Sequence, residues 1–103
     1  MLAVYTFDMS AYVIVDIDIH DPALYEEYKK YTPGSIAEFG GKFLVRGGEA
    51  HTLEGEWKPS RIVVLEFPSV EKAKEWWDSP TYRKARDIRQ RAAKTDMIIV
   101  QGV

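Results

Sequence analysis

The stretch 11–19, AYVIVDIDI, decides how the rest of the chain is read. Val13, Val15, Ile17 and Ile19 fall on one phase of its alternation and make a wholly apolar face, the signature of a strand packed on a core. The opposite phase holds Tyr12, Ile14, Asp16 and Asp18, half apolar and half acidic. A sheet covered on one face only carries polar residues on the other, so this mixed second face is unusual. Two further segments share the departure: 61–67, RIVVLEF, and 97–101, MIIVQ, are apolar on both phases.

After the first strand, Asp21-Pro22 reads as an N-cap with proline at the first helical position. Leu24, Tyr28 and Tyr31 then recur at helical spacing, which predicts a helix over 21–31. Pro33-Gly34 interrupts that pattern, although Pro33 can equally open a continuation through Ile36 and Phe39 before Gly40-Gly41 ends it. KFLVR, 42–46, is a short strand leading into Gly47-Gly48 and a polar loop. Pro68-Ser69 caps a helix through Trp77, and Ser79-Pro80 starts another through Lys94. The order is β-α-β-β-α-β with the second helix broken in two. This is an α+β, ferredoxin-like split βαβ arrangement: a four-stranded antiparallel sheet with helices on one face. No helix remains to cover the other face. A second copy of the chain is the simplest cover, giving a homodimer in which two sheets pack into an α/β barrel.

Composition sets the bounds around this reading. A chain of 103 residues makes one small domain, with 11–103 as its extent and 1–10 as an N-terminal extension. Met9 stands immediately before the first strand as a second possible start, and residues 1–8 are expected to be partly ordered at best. They lack the basic and long apolar segments of a secretory signal. A formal charge of −2 gives no electrostatic footprint for nucleic acid or an anionic membrane, and no apolar run approaches a membrane span. The absence of Cys removes disulfides, thiolate catalysis and cysteine-type zinc sites, and fits a cytoplasmic protein. The three Trp, six Tyr and four Phe are many for so small a core, so some are expected to line an interface or a pocket.

Several segments together resemble the DUF1330 family: IDIHDPALYEEY, GGKFLVRGG, Leu53-Glu54-Gly55, RIVVLEFPS, Ala73 with Trp76-Trp77, Ser79-Pro80-Thr81-Tyr82, and Arg89 before the last strand. The resemblance covers residues 11–102. It implies a dimeric α/β barrel related to small cofactor-free monooxygenases and stress-responsive proteins, and it implies no established activity and no cofactor.

Three kinds of residue could carry chemistry. Asp16 and Glu66 are isolated carboxylates in apolar strands. They could orient a ligand or move a proton in a barrel interior, or be structural ion pairs with Arg46, Arg61 or Arg89. His51 could carry a proton, or be an exposed loop residue, and with only His20 beside it no metal site is expected. Glu54 and Arg61 read better as a structural pair than as catalytic groups. Trp76, Trp77 and Tyr82, with Tyr28 and Tyr31, could wall an apolar cleft that takes a small organic molecule, or simply pack the core. Arg46, Glu54, Arg61 and Arg89 are the polar candidates around such a ligand. The basic run from Arg83 to Lys94 reads as a solvated helix face rather than a nucleic-acid surface. Nucleophile elbows, P-loops and dinucleotide-binding glycine patterns are missing. The chain thus reads as a dimeric binding protein or cofactor-independent oxygenase or isomerase, or as a non-catalytic dimeric module.

Overall fold

A computed structural model describes residues 9–103, so the reading of the first eight residues lies outside the described part. The elements run β1 (Ala11–Ile19), α1 (Pro22–Glu38), β2 (Lys42–Arg46), β3 (Ile62–Phe67), α2 (Val70–Trp77), α3 (Pro80–Ala92) and β4 (Ala93–Gln101). The strands form one antiparallel sheet in the order β2-β3-β1-β4, the ferredoxin-like topology expected from the sequence.

Local chemistry explains where the helices begin. Asp21, Ser69 and Ser79 each accept a hydrogen bond from a main-chain N–H of the first turn, at Leu24, Lys72 and Tyr82, over 3.1 Å in every case. Proline follows the cap in α1 and α3, where its missing N–H leaves nothing unsatisfied. Pro33 does not end α1, which continues to Glu38. A proline there deprives the Lys29 carbonyl of its helical donor, and the Thr32 hydroxyl donates to that same oxygen at 3.3 Å. The last strand starts earlier than its apolar run suggests. Helix α3 stops at Ala92, and Ala93 to Asp96 pair with Ile19 to Asp16 of β1 instead of continuing as helix. The backbone N–H groups of His20 and Asp21 both donate to the Ala92 carbonyl at 3.0 Å, which fixes the helix-to-strand switch.

The helices cover one face of the sheet. Val13, Val15 and Ile17 of β1 and Val63, Leu65 and Phe67 of β3 point into that core and meet Tyr25, Tyr28, Ile36, Trp76 and Tyr82. The other face is open. Register places Val45, Val64, Ile14 and Ile98 side by side, so one apolar row crosses all four strands. Ile98 is 56% exposed, and Val100 beside it on β4 and Leu44 on the opposite edge strand β2 are also exposed. The two-phase apolar pattern in the sequence thus becomes a physical strip on the uncovered side of the sheet.

Candidate functional site

Between α1 and the helix-facing side of the sheet lies a narrow cleft with a free cavity volume of about 20 Å³, room for roughly one water-sized group, that widens into an open mouth. Tyr25 and Tyr28 reach it from α1, Trp76 from α2, and Phe43 from β2. Tyr25, Tyr28 and Thr32 recur three and four residues apart, which turns one side of α1 toward the sheet. Lys29, Arg46 and Arg61 are the charged residues of its lining, and none of the lining residues is acidic or a histidine.

The two arginines are held by different means. Arg46, in β2, lies over the Phe43 ring with its guanidinium carbon 4.4 Å from the ring centre. Arg61 follows the long loop and stands 5.8 Å from the centre of the Tyr25 ring. Its guanidinium presses against Gly47, where a Cβ would sit 2.2 Å from Nη1, and Gly47 has φ +71°. Glycine is needed at 47 on both counts, conformation and close approach. The Arg61 Nε is buried and meets no acceptor among the described residues. Lys29 is bridged to Glu26 at 2.8 Å on the outer side of α1.

Behind the Tyr28 wall runs a buried hydrogen-bond chain. Arg89, only 4% exposed, donates from Nε to the Tyr82 hydroxyl oxygen at 3.3 Å, and the Tyr82 and Tyr28 hydroxyls are 2.8 Å apart. Tyr82 is fully buried, so its own proton needs an acceptor, and the Tyr28 oxygen is the one within reach. The chain therefore links Arg89 through Tyr82 to Tyr28, a residue of the cleft wall. Burial is the main reason the Tyr28 phenol sits well above its ordinary pKa, and the neighbouring Tyr82 reinforces it; Tyr28 is a hydrogen-bond donor rather than a base.

Of the residues singled out from the sequence, Tyr28, Arg46, Arg61 and Trp76 come together in this cleft. Tyr82 and Arg89 stand behind it, and Arg89 is a buried member of α3, not part of a solvated helix face. Trp77 turns away, half-exposed, with the Arg86 guanidinium 3.9 Å above its ring, and it borders a separate shallow groove with Arg89 and Met97. Tyr31 is exposed on the far side of α1 beneath Lys84. Glu54 lies exposed in the loop and makes no pair with Arg61, whose neighbours are Gly47 and Tyr25. Tyr25, Phe43 and Lys29 are cleft residues that the sequence reading passed over. The three-and-four spacing of Tyr25, Tyr28 and Thr32 was the available signal.

The carboxylates are not brought together. Both lie on the open face, Glu66 opposite Tyr12 and Asp16 opposite Ile62, four residues apart along β1. Neither pairs with an arginine side chain among the described residues. Glu66 is bridged to Lys42 on the adjacent strand at 3.4 Å. Asp16 accepts from the Trp57 indole N–H at 2.9 Å and from the main-chain N–H groups of Ser60 at 2.9 Å and Arg61 at 3.3 Å. It anchors the end of the loop between β2 and β3. His51 is exposed in the same loop and paired with Glu49. No group of acidic and histidine side chains among the described residues is arranged to hold a metal ion.

Slight burial pushes the Asp16 carboxyl up, but the three hydrogen bonds to its ionised form outweigh this and hold it below its ordinary value. Replacing Asp16 with alanine is expected to cost about 1–2 kcal/mol at pH 7, the hydrogen bonds being partly exposed to solvent. Because the folded-state pKa is the depressed one, this stabilisation is complete above the ordinary carboxylate range and is lost as pH falls through the folded value. Thermal unfolding as a function of pH checks the sign: the difference between wild type and Asp16→Asn should shrink on acidification. A gap that stays constant would show that the carboxylate charge plays no part.

The chain belongs to the family described as Domain of unknown function (DUF1330), which it matches over residues 10–103. No curated protein matches it. Among solved structures it is similar to the RPA0582 protein of unknown function from Rhodopseudomonas palustris, at 20% identity and TM-score 0.76, covering 93% of this chain and 84% of that one. SnoaB, a cofactor-independent oxygenase from Streptomyces nogalater, shares 13% identity at TM-score 0.62 over 92% of this chain and 94% of its own. A dimeric protein of unknown function and ferredoxin-like fold from Bacteroides fragilis shares 13% identity at TM-score 0.61, over 94% of this chain and 100% of its own. These likenesses establish the fold. Among the described residues no helix is long and apolar enough to cross a membrane.

Proposed function

We propose that this protein is a homodimer that binds a small organic molecule in the cleft between α1 and the sheet. The observation that carries the reading is the cleft itself: aromatic walls from Tyr25, Tyr28, Phe43 and Trp76, with a few polar groups placed to orient what enters. Ligand sites in general have this composition, apolar walls with sparse convergent polar groups. The apolar row on the open sheet face supports the homodimer, as do dimeric proteins of the same fold. A cytoplasmic setting is part of the reading, supported by the Cys-free composition.

Cofactor-independent oxygenation or isomerisation, the first of them the activity of SnoaB, is the enzymatic form of the proposal. The cleft bears on the binding step alone, and Asp16, Glu66 and His51, the candidate groups for chemistry, stand outside its lining. Native mass spectrometry of the protein purified without denaturation is the test. The expected spectrum is a dimer that carries a small organic molecule or takes one up from an aromatic library, with a change in tryptophan fluorescence from Trp76. A dimer that stays bare and spectroscopically silent across the library would leave a non-catalytic module.

A further inference from the structure

We infer that the ligand of this cleft is an organic anion, a carboxylate attached to an aromatic or otherwise apolar body. The inference rests on the cleft being the binding site and adds the chemical class. Its first ground is charge. Lys29, Arg46 and Arg61 border the space and no acidic side chain does, although the chain as a whole carries 16 Asp and Glu against 14 Lys and Arg. Among the described residues, neither arginine has a carboxylate within ion-pairing distance, while other surface cations such as Lys30, Lys72 and Arg91 do have one. Lys29 is already engaged with Glu26, which leaves the two guanidinium groups as the available charges.

The second ground is the orphaned donor. A buried N–H without an acceptor costs roughly 1–3 kcal/mol, so such groups are rare unless something else meets them. Arg61 Nε is one of these, and the notch at Gly47 holds its guanidinium in place against the backbone. A guanidinium offers its donors in a planar fork that matches the two oxygens of a carboxylate. The third ground is the Arg89–Tyr82–Tyr28 chain, which sets a buried guanidinium behind a phenol of the cleft wall. A donor backed by a buried cation favours an oxygen bearing negative charge. The apolar body follows from the walls: Tyr25, Tyr28, Phe43 and Trp76 line the cleft beside aliphatic side chains.

Matched pairs of probes separate the charge from the body. Titration calorimetry and Trp76 fluorescence with 1-naphthoate and phenylacetate are compared with the neutral 1-naphthamide and phenylacetamide. Inorganic phosphate controls for general anion binding. The carboxylates are expected to bind at least tenfold more tightly than their amides, with phosphate too weak to measure. Arg61→Gln and Tyr28→Phe should each remove most of that preference, lowering carboxylate affinity far more than amide affinity. Arg46→Gln, at an exposed position, gives the same comparison without risk to the fold. Equal binding of acid and amide would overturn the anion assignment and leave the cleft reading intact. Phosphate binding as tight as naphthoate would overturn it in favour of a general anion site. Failure of every probe to bind would count against both readings.

Discussion

Replacing Trp76 with alanine is expected to lower the melting temperature by roughly 15–30 °C, the largest stability loss of any single substitution considered. Trp76 is 1% exposed and joins the layers of the molecule. Its ring centre lies 4.1 Å from that of Tyr82 on α3 and 5.2 Å from that of Phe67 on β3, and its indole N–H donates to the Ser35 hydroxyl of α1 at 3.2 Å. One side chain thus fixes α1, α2, α3 and the sheet against one another. Truncating such a residue costs about 3–5 kcal/mol in lost transfer energy and residual cavity, a large share of the roughly 5–15 kcal/mol that holds a domain folded. Trp76→Phe separates the two contributions. It retains an aromatic ring and removes the donor to Ser35, so it should lose about 1–2 kcal/mol. Thermal and urea unfolding at one fixed protein concentration checks both, since association would itself raise the melting temperature. A shift below about 5 °C for the alanine variant would show that neighbouring side chains close the gap and that Trp76 is not the joint between layers.

The same residue shows what the sequence made legible. Strand β1, the helix starts and the break between α2 and α3 follow from alternation and caps, and β3 from its continuous apolar run, all signals that act within a few residues. The three caps Asp21, Ser69 and Ser79 each bond three residues ahead, so their effect could be read from spacing alone. What could not be read depends on partners far away in the chain. Helix α3 gives way at Ala92 because residues 93–96 find β1, a pairing across more than seventy residues that overrides the helical pattern through Lys94. Pro33 passes inside α1 because Thr32 supplies the missing donor, a choice of rotamer that composition does not display.

The candidate site divides along the same line. Arg46, Arg61 and Trp76 were recognisable as residues of interest, but their meeting in one cleft comes from tertiary packing of β2, the loop end and α2 around α1. Trp77 and Trp76 are identical in type and adjacent, and only the helix rotation decides that one joins the core while the other faces outward under Arg86. Asp16 looked like chemistry because a carboxylate in an apolar strand is costly. Its cost is met by Trp57, Ser60 and Arg61, which lie 41, 44 and 45 residues away. An isolated acid in a strand therefore signals an anchor as readily as a site.

Placing a carboxylate in the apolar row, through Ile14→Glu, is expected to convert the proposed dimer to a folded monomer. Ile14 sits on the open face with Val64 on one side and Ile98 on the other, and Val45 completes the row. In a monomer the new side chain would reach water, and the sheet's hydrogen bonds would be untouched, so the fold should lose about 1 kcal/mol or less from reduced strand preference. In a dimer built by packing this face on its copy, the substitution enters twice, because a two-fold interface repeats every residue. Each carboxylate would then be buried without a partner, near Asp16 and Glu66 of the same face, at a cost of about 3–5 kcal/mol. Either one alone weakens association by roughly 10²–10⁴-fold. Sedimentation velocity at micromolar concentration should report a dimer for wild type and a monomer for Ile14→Glu, with far-UV circular dichroism unchanged. Glu71→Lys, an exposed change on the helix side, should leave the dimer intact. If wild type sediments as a monomer, or if Ile14→Glu stays dimeric, the sheet face is not the interface and the apolar row needs another explanation.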